Sequence, residues 1–351
     1  MSLDETLRQI RPLDRSSEDA AQRRLDSLTK PQGSLGRLEE LARRIAVIQG
    51  KVPPQLGRKL LFVFAADHGI IEEGVSAYPR EVTAQMTYNL LNGGAAVNVL
   101  ARHHRIDTEV VDVGVDYEFA AARGLRDGKV RRGTANFARG PAMTRAEAVR
   151  SVELGIELVR EAAAKNLFLL GAGDMGIGNT SSATAVLCAL TGVAPADAVG
   201  RGTGIDDATL ARKIAAIERG LHINRPDAND PTAVLAKVGG LEIGAMTGVI
   251  LGAAAFRVPL VLDGFISSAA ALLARRFCPH VRDMLFASHL SAERGHGLML
   301  ADLQLSPVLD LQMRLGEGTG ACLLMGMIEA SVKVMLEMAT FESASVKEKL
   351  S

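Results

Sequence analysis

The chemistry in this sequence rests on glycine spacing and a few isolated acids. Asn166-Leu-Phe-Leu-Leu-Gly-Ala-Gly-Asp-Met-Gly-Ile-Gly-Asn-Thr-Ser-Ser182 runs from an apolar strand through four glycines into a Ser/Thr-rich helix start. Glycines let the backbone approach a ligand closely. The free N–H groups and positive dipole end of the next helix then face an anion. The stretch reads as a phosphate cradle. The literal pattern Gly171-x-Gly173-x-x-Gly176 also matches the dinucleotide fingerprint, with Asp197 about 20 residues on. Three features oppose that match. Gly178 would interrupt the first helical turn, so the helix should open at Asn179 or Thr180, after all the glycines. Asp197 follows Thr191-Gly192 and Ala194-Pro195, a helix end and a new turn rather than a second strand. Asp174 would repel a pyrophosphate and suits a ribose hydroxyl better. A mononucleotide phosphate site is favoured over a dinucleotide site or a structural turn.

Glu317 lies between two glycines at the opening of an apolar helix. A partly apolar pocket would raise its pKa toward values useful for a general base. The plainer alternative is an acid complementing a helix N-terminus. Arg201-Gly-Thr-Gly204, ahead of Asp206, Asp207 and Lys213, is a second glycine loop. It could hold the far side of the same phosphate through Gly202, with Lys213 as a point charge, or be a surface turn with a solvated lysine. Ser291 reads as the N-cap of a helix beginning Ser291-Ala-Glu-Arg-Gly-His296, which would set N–H groups near a phosphate. His68 and His289 read as hydrogen-bonded strand-end residues. The histidines form no HxH or HExxH spacing, so metal ligation is unsupported. No nucleophile elbow or Walker loop is present. Asp206-Asp207 follows a glycine turn, not a strand, so it does not match a diphosphate-binding Asp pair.

Such residues need a frame. Continuous apolar runs at 59–66, 109–114, 167–170, 259–263 and 284–289 read as strands, with 234–238 as a further short one. Helical patterns fill 83–102, 144–164, 179–190, 209–219, 243–256, 267–276 and 318–338. Fully apolar strands alternating with helices imply an α/β fold, a parallel sheet covered on both faces. Ligands then sit at the carboxyl ends of the strands. The residues placed there are Asp67-His68-Gly69, Asp112 to Gly114, Gly171 to Gly178, Asp263-Gly264, Ser288-His289 and Arg314 to Gly320. Residues 1–50 read as helices broken around Pro31 and Gly36.

Composition narrows the function. The 351 residues are 48% hydrophobic, enough for a large core in one domain or two. Forty basic residues balance forty acidic ones, so nothing draws the chain to nucleic acid or an anionic membrane. Cys188, Cys278 and Cys322 are far apart, as expected of reduced thiols in a cytoplasmic protein. The polar N-terminal segment reads as no signal peptide. The apolar stretch 243–256 is too short to span a bilayer.

Five blocks, taken together, resemble a known family. They are Lys30-Pro-Gln-Gly-Ser-Leu-Gly-Arg-Leu-Glu39, Ala65-Ala-Asp-His-Gly69 with Glu73-Gly-Val-Ser-Ala-Tyr-Pro79, Gly173-Asp-Met-Gly-Ile-Gly-Asn-Thr180, Val261-Leu-Asp-Gly-Phe-Ile-Ser267, and Arg314-Leu-Gly-Glu-Gly-Thr-Gly320. The chain is similar over nearly its whole length to the nicotinate-nucleotide:5,6-dimethylbenzimidazole phosphoribosyltransferases of cobalamin synthesis. The resemblance implies a Rossmann-like body over 51–317, a small helical lobe from 1–50 and 318–351, and a homodimer. It implies transfer of phosphoribose from nicotinate mononucleotide to a benzimidazole by direct inverting displacement. Glu317 would be the base. Gly176, Gly178, Asn179 and Thr180 would hold the phosphate, helped by Gly202, Lys213 and Ser291, with Asp174 toward the ribose. Tyr78, Gln85, Met86 and Leu315 would hold the acceptor base. No cofactor or metal is implied. Two positions depart from the expected pattern: Asp174 replaces a Glu, and Tyr78 replaces a smaller residue. Adenine, substituted benzimidazoles and phenols therefore stay open as acceptors. A nucleotide sensor or base carrier without turnover, and an NAD-dependent dehydrogenase, are the rival readings.

Overall fold

The computed structural model describes residues 1–119, 123–202 and 204–347. Thr203 of the second glycine loop and residues 348–351 at the end of the expected lobe lie outside the described residues. Helices α1 (Leu3–Gln9), α2 (Glu18–Asp26) and α3 (Arg37–Gln49) precede strand β1 (Arg58–Ala66). Helices α4 (Glu81–Leu91) and α5 (Ala96–His103) lead to β2 (Asp107–Gly114) and β3 (Leu125–Asp127). Helix α6 (Arg145–Ala163) leads to β4 (Leu167–Met175). Helices α7 (Asn179–Thr191), α8 (Pro195–Ala198), α9 (Asp207–Asn224), α10 (Pro231–Val238) and α11 (Leu241–Phe256) follow before β5 (Leu260–Leu262). Helix α12 (Phe265–Phe277) connects to β6 (Leu285–Ala287), and α13 (His296–Leu303) and α14 (Thr319–Glu337) complete the chain.

The strands form one sheet in the order β3-β2-β1-β4-β5-β6, each neighbouring pair parallel. This is the expected Rossmann-like α/β sheet, with helices on both faces. From β1 the chain steps outward to β2 and β3, then returns to β4 on the other side. The switch between β1 and β4 opens a crevice at the strands' carboxyl ends.

Several local expectations change. Residues 234–238 belong to α10, not a strand. Asp230 accepts the Ala233 amide at 3.0 Å and Pro231 occupies the first turn, so an N-cap signal overrides a short apolar run. The single helix expected over 83–102 is two, broken at Gly93, whose φ is +76°. The Asn98 side chain accepts the Ala95 amide at 3.1 Å and restarts the second. Strand β4 continues past Leu170 to Met175, and β3 adds a short outer strand.

At the chain's ends, α2 and α3 share a small separate core with the far end of α14: Ala21, Leu25, Leu28, Ala42, Ala46 and Met335. Arg24 ties it by donating to the Met335 and Met338 carbonyls at 3.1 and 3.3 Å. Helix α1 instead lies against α6 and α11. By length and composition α14 could cross a membrane. Here it packs on α3, α5, β4 and β5.

The tightest helix pair is α6 on α11. Thr144 caps α6 in a reciprocal box with Glu147, its Oγ1 accepting the Glu147 amide at 3.2 Å. Helix α11 is buried on nearly every side. The two approach so closely that a methyl on Gly248 would sit 1.9 Å from the Val152 carbonyl oxygen. A helical Gly→Ala change ordinarily gains about 1 kcal/mol. At Gly248 the backbone clash outweighs that gain. Gly248→Ala is expected to destabilise the protein by roughly 1–3 kcal/mol in urea unfolding. Equal or higher stability would show that the helices separate without cost.

Candidate active site

The four glycines of the central stretch divide into two pairs with different jobs. Gly171 and Gly173 lie inside β4, where the sequence suggests a loop. A methyl on Gly173 would meet the Glu317 carbonyl oxygen at 2.2 Å and the Gly318 nitrogen at 2.5 Å. One on Gly171 would meet Leu61 and Met325 at 2.8 Å. These two glycines admit α14 and the segment before it against the sheet. Gly176 and Gly178 form the turn beyond the strand. Gly178 precedes α7, which opens at Asn179 after all the glycines, with no side chain capping its N-terminus.

That turn borders a cavity of about 610 Å³ at the sheet's carboxyl edge, a size suited to small-molecule ligands. Asp174, Gly176, Asn179 and Thr180 line it. Gly202, Ser291, Glu317, Tyr78, Met86 and Leu315 line the same cavity. Gly178 and Lys213 line an adjoining hollow of about 50 Å³, which shares Gly176, Asn179, Thr180 and Gly202 with the cavity. Gln85 does not join them. It is exposed on α4 and absent from the cavity wall. Val82, one turn before Met86, and Phe265 and Ile266 at the start of α12 supply the apolar wall instead.

Glu317 is 5% exposed, and its Oε2 has no hydrogen-bond partner. Its φ is +63°, between Gly316 at +83° and Gly318 at +96°. Burial raises its carboxyl above the ordinary range, partly offset by the Val97 amide at the start of α5. Asp263, directly after β5, holds this segment. Its Oδ2 accepts the Gly318 amide at 3.0 Å, and its Oδ1 accepts those of Gly320 at 2.7 Å and Ala321 at 3.2 Å. Burial pushes the Asp263 carboxyl up to about 7, against the pull of these amides. Asp263 stands among the strand-end residues in sequence, but nothing there assigns it this role. Asp174 is also buried, and its Oδ2 accepts from the Asn179 side chain at 2.7 Å. Burial, then the charges of Asp263 and Glu242, hold its carboxyl well above the usual value.

Lys213 is not a solvated lysine. It is 1% exposed, and its Nζ donates to Thr180 Oγ1 at 2.8 Å and to the Gly200 carbonyl at 3.5 Å. Burial lowers its pKa to about 8. Ser291 does not cap a helix, because α13 opens only at His296. Its amide donates to His296 Nδ1 at 2.8 Å, which leaves Nε2–H to donate to Ser268 Oγ at 3.0 Å. Buried His296 thus anchors Ser291 at the cavity edge. His68, the strand-end histidine after β1, pairs with Glu242 at 2.7 Å and Ser182 at 3.0 Å beneath the glycine turn. His289 borders the cavity, with Nδ1 3.1 Å from Ser288 Oγ. Asp67 and Asp112 brace loops outside the cavity wall, accepting the Asp116 and Val115 amides at 2.8 Å. Among the described residues no group of three or more His, Cys, Asp or Glu is placed to hold a metal ion.

The raised carboxyls carry a stability cost of known sign. The unfolded Asp174 carboxyl titrates near 3.8 and the folded one well above. The folded state therefore binds the proton more tightly, and stability is lost as pH rises from the unfolded value through the folded one. Asp174→Asn has no proton to lose there. Without ligand, its melting temperature minus that of the wild type is expected to rise as pH increases above the unfolded value of 3.8. A constant difference would place the folded carboxyl at its ordinary pKa.

Known proteins share this architecture and sequence. A phosphoribosyltransferase family model matches residues 10–346. The nicotinate-nucleotide–dimethylbenzimidazole phosphoribosyltransferase of Geobacter metallireducens is 55% identical over 346 residues, covering 99% of this chain and 98% of that one. Its counterpart from Geobacter sulfurreducens is 56% identical over 346 residues, with the same coverage of 99% and 98%. The crystal structure of the nicotinate-nucleotide–dimethylbenzimidazole phosphoribosyltransferase from Thermus thermophilus superposes with a TM-score of 0.90 at 48% identity, covering 96% of this chain and 100% of that one. On the full-length match in sequence and fold, the chain belongs to this phosphoribosyltransferase family.

Proposed function

We propose that the protein moves phosphoribose from nicotinate mononucleotide to 5,6-dimethylbenzimidazole or a related base, giving α-ribazole 5′-phosphate and nicotinate, in assembly of the cobalamin nucleotide loop. The names of its full-length relatives support the reaction. The observation that carries the mechanism is the unpartnered Oε2 of buried Glu317, on the wall of the same cavity as the glycine turn.

The acceptor's ring nitrogen attacks C1′ from the face opposite nicotinate. The C1′–nicotinate bond breaks with its electron pair going to the pyridine nitrogen, so nicotinate leaves without a proton. Attack from the opposite face inverts C1′ to the α configuration. The benzimidazole must lose its other N–H proton, and the Glu317 carboxylate takes it. Gly176, Gly178, Asn179 and Thr180 present the α7 N-terminus to the phosphate, with Gly202, Lys213 and Ser291 on its other side. Asp174, oriented by Asn179, faces the ribose. Positive charge develops on the sugar as the bond breaks, and the carboxylates nearby favour it. Tyr78, Met86 and Leu315 form the slot for the acceptor, with Gln85 beyond its mouth. A flat apolar slot discriminates by only ~1–3 kcal/mol per small group. Adenine and phenols are therefore natural competitors to include in any assay.

The separate core shared by α2, α3 and the end of α14 supports reading 1–50 and 318–351 as a lobe on the 51–317 body. Exposed Tyr78, Leu311 and Leu315 support a homodimer. Three free cysteines support a reducing compartment, the cytoplasm.

Incubation of the purified protein with nicotinate mononucleotide and 5,6-dimethylbenzimidazole is expected to yield the α-nucleotide and free nicotinate. Glu317→Gln is expected to fold and lose roughly 10²–10⁴-fold in rate. No product with dimethylbenzimidazole, adenine or phenols would leave a nucleotide-binding protein without turnover.

A further inference from the structure

The phosphate end of the cavity contains a carboxylate that the proposed reaction does not use. Glu293 lies between β6 and α13, is 6% exposed, and lines the cavity beside Gly202 and Ser291. Its own amide is 3.3 Å from Ser291 Oγ, but its Oε2 has no hydrogen-bond partner. Gly200, just before the second glycine loop, makes room for that oxygen: a methyl on Gly200 would come within 1.9 Å of it. The groups acting on its charge are Lys213, the Gly202 amide and Arg314, while burial pushes its carboxyl above the ordinary range. Lys213 and Gly202 belong to the proposed phosphate subsite, and Arg314 lines the same cavity.

Buried Lys213 needs a counter-charge before any substrate arrives, since an isolated ammonium in such a site is costly. Its close partners, Thr180 Oγ1 and the Gly200 carbonyl, are neutral. We propose that Glu293 is the resident counter-anion of the phosphate subsite: it faces the Lys213 and Gly202 donors in the free protein, and the arriving phosphomonoester must compete with it. Glu293 thereby sets the affinity for the nucleotide's phosphate instead of contributing to it. The proposal rests on reading this end of the cavity as a phosphate subsite.

The test is calorimetric titration of the full-length protein with sulfate and with inorganic phosphate at neutral pH, comparing wild type with Glu293→Gln. Removing one like charge a few ångströms away is expected to tighten binding of both anions roughly tenfold, and to lower KM for nicotinate mononucleotide in the same direction. Unchanged or weaker binding would overturn the proposal. Should the Gln variant fail to fold, Glu293→Asp draws the carboxylate back by one methylene. It is expected to bind both anions more tightly than wild type, and unchanged or weaker binding would again overturn the proposal. Lys213→Met separates the two claims. Anion binding lost in that variant locates the anion beside Lys213, as both claims require. Anion binding that survives it, or none to wild type and Glu293→Gln alike, would overturn the subsite reading and Glu293's role with it.

Discussion

Everything at the centre of this protein depends on how closely the segment before α14 lies against strand β4. The Glu317 backbone can rest there only because position 173 has no side chain. The contact is held from the neighbouring strand end, where Asp263 accepts the amides of Gly318, Gly320 and Ala321. A left-handed conformation costs a non-glycine residue such as Glu317 about 1–2 kcal/mol. Even to a neutral acceptor, hydrogen bonds contribute about 0.5–1.5 kcal/mol each. Three of them outweigh the strain, so the segment stays in a conformation that its own sequence disfavours. The same arrangement aims a carboxylate into the cavity and leaves one of its oxygens free.

The second constraint is electrostatic. Asp174, Glu293 and Glu317 line the cavity, Asp263 is buried behind the Glu317 segment, and buried Lys213 lines the adjoining hollow. Burial raises all four carboxyls, so each is costly to ionise, a cost that Lys213 partly offsets for Glu293 alone. The arrangement suits a substrate with a cationic pyridinium ring at one end and an anionic phosphate at the other. In the proposed pose Asp174 and Glu317 lie toward the sugar, and the α7 N-terminus and Lys213, with Glu293 beside them, lie toward the phosphate. Stability is sacrificed here in a way that ligand binding can restore.

The frame of this site is legible in the sequence because fully apolar strands alternate with helices, and that pattern has few other solutions. Glu317 and the Gly176–Thr180 turn are legible because glycines around a polar residue mark an exposed backbone. Other features depend on contacts between distant segments. Gly171 and Gly173 look like loop glycines until α14 is seen to lie on them. Asp263 is one strand-end acid among several until its amide partners, more than fifty residues away, are in place. Lys213 stays open in sequence between a phosphate contact and a solvated lysine, since the elements that bury it are remote in sequence. Residues 234–238 differ for a local reason: Asp230-Pro231 is a helix start, and that cap is a stronger signal than a five-residue apolar run.

The central claim is that Glu317 acts as a base and not merely as a charge in the wall. It is tested most directly by the acceptor's own proton. 1-Methylbenzimidazole keeps the attacking nitrogen but has no second N–H to lose, and its product is a benzimidazolium. The rate lost on changing Glu317 to Gln should be large with dimethylbenzimidazole and much smaller with the methylated acceptor, where only the charge effect remains. An equal loss with both would contradict the base role and leave Glu317 acting through charge or position alone.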